Sequence, residues 1–171
     1  MLKRSTFVLV FLLLITSCGN TEKPTTKEPD TQKEEVAVAS TAVKVENALS
    51  FINGYVENSN NMNEAMNIID FTNSNNLTTE TFKSTLERII ETALKENPEM
   101  GLDADPIYDA QDYPEKGFEL ESFDEKTNYL IVKGIDWPDF TITMKVVEEN
   151  GKWVVDGCGN VNITEKKKAK R

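Results

Sequence analysis

The residues best suited to chemistry lie in one short segment, Asp103-Ala104-Asp105-Pro106-Ile107-Tyr108-Asp109-Ala110-Gln111-Asp112-Tyr113. Beside one carboxamide, four carboxylates so close together repel one another unless they are solvated, hydrogen-bonded or bound to a cation. Three uses compete. Aspartates beside proline and small residues cap turns and nearby backbone N–H groups. Oxygen-rich clusters hold calcium, although the EF-hand glycine and closing glutamate are missing here. A polar cluster at the mouth of a domain can also bind a small ligand or a protein partner. Paired carboxylates support acid–base hydrolysis, and Asp103 with Asp105, or Asp109 with Asp112, supply the groups. Nothing in the sequence sets either pair across a cleft.

Composition narrows the remaining chemistry. The chain has no histidine. That excludes Ser-His-Asp and Cys-His nucleophilic sites and every zinc site built on imidazole. With 19 basic against 29 acidic residues the net charge is −10, which argues against nucleic acid, because phosphate contacts need Lys and Arg. No cofactor is expected, calcium aside, and no catalytic constellation is recognisable, so the expectation is a protein that is not an enzyme.

The chain must also be positioned in the cell. Lys3 and Arg4 precede an apolar run, Phe7 to Ile15, that is too short to span a bilayer, which takes about 20 residues. A basic start, a short apolar core and small residues describe a secretory leader. The closing Ile15-Thr16-Ser17-Cys18 resembles the lipobox of bacterial lipoproteins, which implies cleavage after residue 17 and lipid on Cys18. One acyl chain anchors only weakly, whereas several on one residue hold permanently. The expected location is the bacterial cell envelope, with Gly19 after Cys18 favouring the outer membrane. Cys158 then has no disulfide partner within the chain, and burial as a small hydrophobe is the expectation.

The remaining elements follow from periodicity. Residues 18–41 carry prolines and no large apolar cluster, and read as a disordered tether. Val45, Ala48, Leu49, Ile52, Tyr55 and Val56 form one face of a helix over residues 42–56. A short helix or turn is expected at Met66 to Phe71. A clearer helix starts at Thr78 or Thr79 and ends at Asn97-Pro98, with Phe82, Leu86, Ile89, Ile90, Ala93 and Leu94 as its stripe. Four strands follow over residues 118–123, 128–135, 140–147 and 153–158. Asn150-Gly151 predicts a type I′ hairpin that sets Val146 opposite Val155 and Lys145 opposite Asp156. Residues 164–171 read as a basic, solvated tail. Helices first and an antiparallel meander afterwards make an α+β domain over residues 42–163.

These residues resemble a known family. Asp103-x-Asp105-Pro106 followed by Ala110-Gln111-Asp112 is similar to a motif of the domain-of-unknown-function family numbered 3828, found in bacterial envelope lipoproteins. Phe51 and Tyr55, Leu77-Thr78 with Phe82, and the Gly151-Lys152-Trp153 hairpin agree with its flanks. Gly157-Cys158-Gly159 departs from the acidic or apolar residues expected there. The resemblance implies a nuclear-transport-factor-2-like cone, in which two or three helices pack on a curved sheet of about four strands around a pocket. Carried over residue by residue, it points to Asp103, Asp105, Gln111 and Asp112 as ligand- or partner-binding positions. Such a fold serves enzymes, binders and dimerisation modules alike. The combined expectation is a lipid-anchored binding or interaction module, an inhibitor or immunity-type protein for instance. Its partner would be an envelope protein or a small ligand. A carboxylate hydrolase and a calcium-stabilised structural domain are the alternatives.

Overall fold

A computed structural model describes residues 31–170, with side chains described from residue 40 onward. The leader, Cys18 and residues 18–30 of the expected tether lie outside the described residues. The order of elements is α1 (Thr31–Asn60), α2 (Ile68–Ser74), α3 (Glu80–Glu96), β1 (Phe118–Asp124), β2 (Tyr129–Gly134), β3 (Thr141–Glu149) and β4 (Lys152–Cys158), then a single 3-10 turn at Glu165–Lys167. The strands form one antiparallel sheet in the order β1-β2-β3-β4. The fold is α+β, helices first and sheet after. Among the described residues no helix is long and apolar enough to cross a membrane.

Local chemistry explains most boundaries. Thr79 caps α3, its hydroxyl accepting from the Phe82 N–H at 2.9 Å, which satisfies one of the free donors of a helix start. Asn67 does the same for α2 through the Asp70 N–H. At the β3–β4 hairpin Asn150 and Gly151 both take positive φ, 52° and 76°, as a type I′ turn requires. Val146 pairs with Val155 as expected, but Lys145 pairs with Gly157, because a bulge between Lys145 and Val146 shifts the register. The Lys145 ammonium still reaches the Asp156 carboxylate at 2.9 Å, so the expected ion pair forms across the bulge.

Two expectations are corrected. The tether was expected to reach residue 41, yet α1 begins at Thr31. Residues 32–39, Gln-Lys-Glu-Glu-Val-Ala-Val-Ala, are mostly good helix formers, and a helix already anchored by packing extends cheaply through them. The basic tail was expected to be solvated, yet it docks on the sheet's outer face. The Thr143 hydroxyl donates to the Lys167 carbonyl at 2.9 Å. The Lys167 ammonium lies 4.9 Å from the Tyr129 ring centre, and Lys168 pairs with Asp109 at 3.4 Å.

The core lies between the helices and the inner face of the sheet. Phe51, Ile52, Phe82 and Leu86 from the helices meet Phe118, Leu130, Val132, Ile142, Met144 and Val155, all essentially inaccessible. Full burial of such a side chain contributes roughly 1.5–3 kcal/mol. The Phe51 ring meets Phe82 edge-on at 5.5 Å and Phe71 at 6.1 Å. Side chains therefore fill the space between α1 and the centre of the sheet. The α3 stripe packs through Phe82 and Leu86, while Leu94, at the far end, is 50% exposed.

Candidate functional site

The aspartate-rich segment forms a tight loop after α3, pressed on the end of β4. It closes on itself, the Asp105 N–H donating to the Ala110 carbonyl at 2.9 Å and the Ala110 N–H returning to the Asp105 carbonyl at 3.4 Å. Oδ1 of Asp105 accepts from the Ile107 N–H at 2.7 Å and the Tyr108 N–H at 3.0 Å. Its Oδ2 accepts from the Tyr55 hydroxyl of α1 at 2.5 Å. Burial raises the Asp105 pKa, and the three hydrogen bonds only partly counter that. The Tyr55 and Tyr108 hydroxyls are pushed well above the usual phenol range, chiefly by burial. Burial favours the neutral form of all three groups, and their hydrogen bonds make them structural partners. The aromatic stack Tyr55–Tyr108–Tyr113, with ring centres 4.9 and 4.8 Å apart, fixes the loop against α1.

The end of β4 supplies the other wall. The Asn160 N–H donates to the Pro106 carbonyl at 2.7 Å, and the buried Cys158 thiol donates to the Ile107 carbonyl at 3.4 Å. Gly159 sits at φ 58°, and a Cβ there would lie 2.3 Å from the Ile107 carbonyl oxygen. Gly159 is thus what lets the loop approach the strand. Asp109, at φ 53°, accepts from the Asn160 side-chain amide, and Lys168 approaches it from the tail.

The four predicted positions do not converge. Asp105 faces inward and its oxygens are taken by N–H and O–H donors. Asp103, Gln111 and Asp112 are exposed, and the Gln111 amide donates to the Asp103 carbonyl at 3.0 Å. The segment behaves as a turn that caps itself. Among the described residues no three His, Cys, Asp or Glu side chains come together as a metal site. The cavity beside Asp109, bounded by Thr143, Gly159 and Lys168, measures about 10 Å3, at the lower limit for one water.

A larger concavity lies elsewhere. Between α1 and β1 runs an open groove of about 830 Å3. Val45, Leu49 and Leu120 line its apolar floor, and Thr41, Glu46, Ser50, Asn53 and Glu57 its polar sides. Asn53 and Glu57 also border a second depression of about 270 Å3 reaching Asn60 and Lys116. The two form one trough along α1. Leu120 pairs with Val132, whose side chain is in the core, so it faces inward too. It is nevertheless 37% exposed, because α1 does not cover this corner of the sheet. Sequence reasoning placed Val45 and Leu49 in the core stripe.

The trough also runs along a sheet edge. At the opposite edge, β4 is sealed by the segment before α3, where the Val155 N–H donates to the Leu77 carbonyl at 2.7 Å and the Thr79 N–H to the Val155 carbonyl at 3.0 Å. On β1 the Asn53 carboxamide plays that part at a single residue. Its Oδ1 accepts from the Phe118 N–H at 2.7 Å and its Nδ2 donates to the Phe118 carbonyl at 3.0 Å.

No family model matches this sequence, and no curated protein matches it. A solved structure of a protein of unknown function from Bacteroides thetaiotaomicron is similar to it at 18% sequence identity, with a TM-score of 0.48, over 72% of this chain and 95% of that one.

Proposed function

We propose that this chain is a lipid-anchored interaction module of a bacterial cell envelope, and that the α1–β1 trough is where it holds a protein ligand. The observation that supports the reading is the trough itself, an apolar floor of Val45, Leu49 and Leu120 between acidic and amide sides. Concave apolar surfaces with a few polar groups are the usual form of a binding site. The Ile15-Thr16-Ser17-Cys18 string supports the anchor, and the acidic net charge suits a basic partner. The aspartate-rich loop, closed on itself, supports a structural role for Asp105 and leaves only the exposed Asp103, Gln111 and Asp112 for outer contacts.

The test has two parts. The full-length precursor should incorporate labelled fatty acid, and Cys18→Ala should abolish the labelling. A photo-crosslinking amino acid at Leu49 should capture one dominant envelope protein that the same group at the exposed Met100 does not. Labelling that survives the loss of Cys18, or identical products from both positions, would overturn the reading.

A further inference from the structure

Among the described residues, the trough is bordered by a strand edge that no other strand pairs. β1 ends the sheet, and Asn53 occupies the outward N–H and C=O of Phe118. Backbone groups alternate in direction along a regular antiparallel strand, and by that alternation Leu120, two residues on and the last residue before the bulge, would turn its N–H and C=O outward as Phe118 does. The Leu120 side chain points meanwhile into the trough with Val45 and Leu49. An unpaired edge beside an apolar groove is the geometry used by proteins that accept an extended peptide as an extra strand.

The charges restrict what can pair there. Glu119, Glu121 and Asp124 of β1 are exposed, Glu119 already holding Lys133 of β2 at 3.4 Å, and Glu46 and Glu57 stand on the α1 side. A bulge between Leu120 and Ser122 further interrupts the edge. Charged side chains and bulges on an edge discourage pairing between like chains. A second copy of this chain would bring the same carboxylates face to face. A strand with Lys or Arg on one face meets the opposite field.

We propose that the β1 edge takes up an extended peptide in which basic and apolar residues alternate, bound by strand addition. This rests on the reading of the trough as the binding site and specifies its ligand. The apolar side chains enter between α1 and Leu120, the basic ones face Glu119 and Glu121, and the peptide backbone pairs with Leu120. The trough follows α1 from Thr41 to Asn60, roughly 30 Å at 1.5 Å per residue, which fits a strand of about eight or nine residues.

The probe is a fluorescent Lys-Val-Lys-Val-Lys-Val-Lys-Val peptide, titrated against the full chain in detergent and read by anisotropy. Two N-methylated versions accompany it, one methylated on the lysine nitrogens and one on the valine nitrogens. In strand addition only one alternate set of N–H groups faces β1. One version should therefore bind at least about tenfold more weakly while the other is nearly unchanged. Leu120→Pro, checked for folding by circular dichroism, should weaken the unmodified peptide similarly, and Glu121→Lys should weaken it and reduce its salt dependence. Equal binding of both methylated versions, preferential binding of a Glu-Val repeat, or no binding of the basic peptide would each overturn strand addition. The crosslink from Leu49 reports separately on whether the trough binds a protein at all.

Discussion

Removing one hydroxyl, in Tyr55→Phe, tests the central structural contact of the aspartate-rich loop. The phenyl ring keeps the packing of Tyr55 against Phe71 and Tyr108, at 5.0 and 4.9 Å. What is lost is the 2.5 Å hydrogen bond to Oδ2 of Asp105. A hydrogen bond to a charged group contributes about 1.5–3 kcal/mol, and Asp105 is partly buried, so water replaces the donor poorly. The expected loss of stability at neutral pH is about 2 kcal/mol, read from urea denaturation with an unchanged m-value. The pH dependence carries a sign. The Tyr55 bond lowers the Asp105 pKa against the larger upward effect of burial. Deleting it raises that pKa further, so the mutant's folded state takes up a proton more readily than the wild type's. The penalty is then complete above both folded-state pKa values and shrinks as pH falls through them. Asp105→Asn should be milder than Asp105→Ala, because the amide can still accept from Ile107 and Tyr108 and donate to the Tyr55 oxygen. A Tyr55→Phe penalty below about 0.5 kcal/mol, within the range of ordinary surface substitutions, or one that grows on acidification, would refute the account.

Other outcomes follow from the same contacts. Gly159→Ala should cost about 2–3 kcal/mol or more, since positive φ and the Ile107 carbonyl both oppose a Cβ, whereas Gly151→Ala, with open space around it, should cost only about 1 kcal/mol; thermal melts of the two variants compare them directly. Lys168→Ala should lower stability by about 1 kcal/mol, because its ammonium joins Asp109 and Glu165 at 3.4 and 2.7 Å, and the loss should shrink at high salt in melts run at two ionic strengths. Asp103→Asn and Asp112→Asn, both at exposed positions, should change the urea midpoint by less than about 0.5 kcal/mol in equivalent stability.

Much of the fold was legible because its signals are local. Thr79 before an amphipathic run, Asn97-Pro98 after it, and Asn150-Gly151 between two β-branched strands each define a boundary within a few residues. The bulge that moves Lys145 from Asp156 to Gly157 has no such signature, since it depends on how the sheet coils under α1. The role of Asp105 was hidden for another reason, as its partner Tyr55 lies fifty residues away. A carboxylate destined for a tyrosine and two N–H groups looks, in sequence, like one destined for a ligand. The tail was misread in the same way. Lys168 is one lysine of a basic run until the fold brings Asp109 and Asn160 beside it. The trough was missed because Val45 and Leu49 sit at correct helical spacing, and only the packed sheet shows that Leu120 and they are incompletely covered.

The measurement that bears most directly on the proposed role is a crosslinking pull-down from native envelopes, comparing wild type with Leu49→Asp and quantified by mass spectrometry. A charge on the trough floor should remove the ligand, and because Leu49 packs in part against the core, circular dichroism checks that the variant is folded. One envelope protein should be recovered in stoichiometric amount with the wild type and lost from the variant. Recovery of the same protein with both chains, or of none with the wild type, would contradict it.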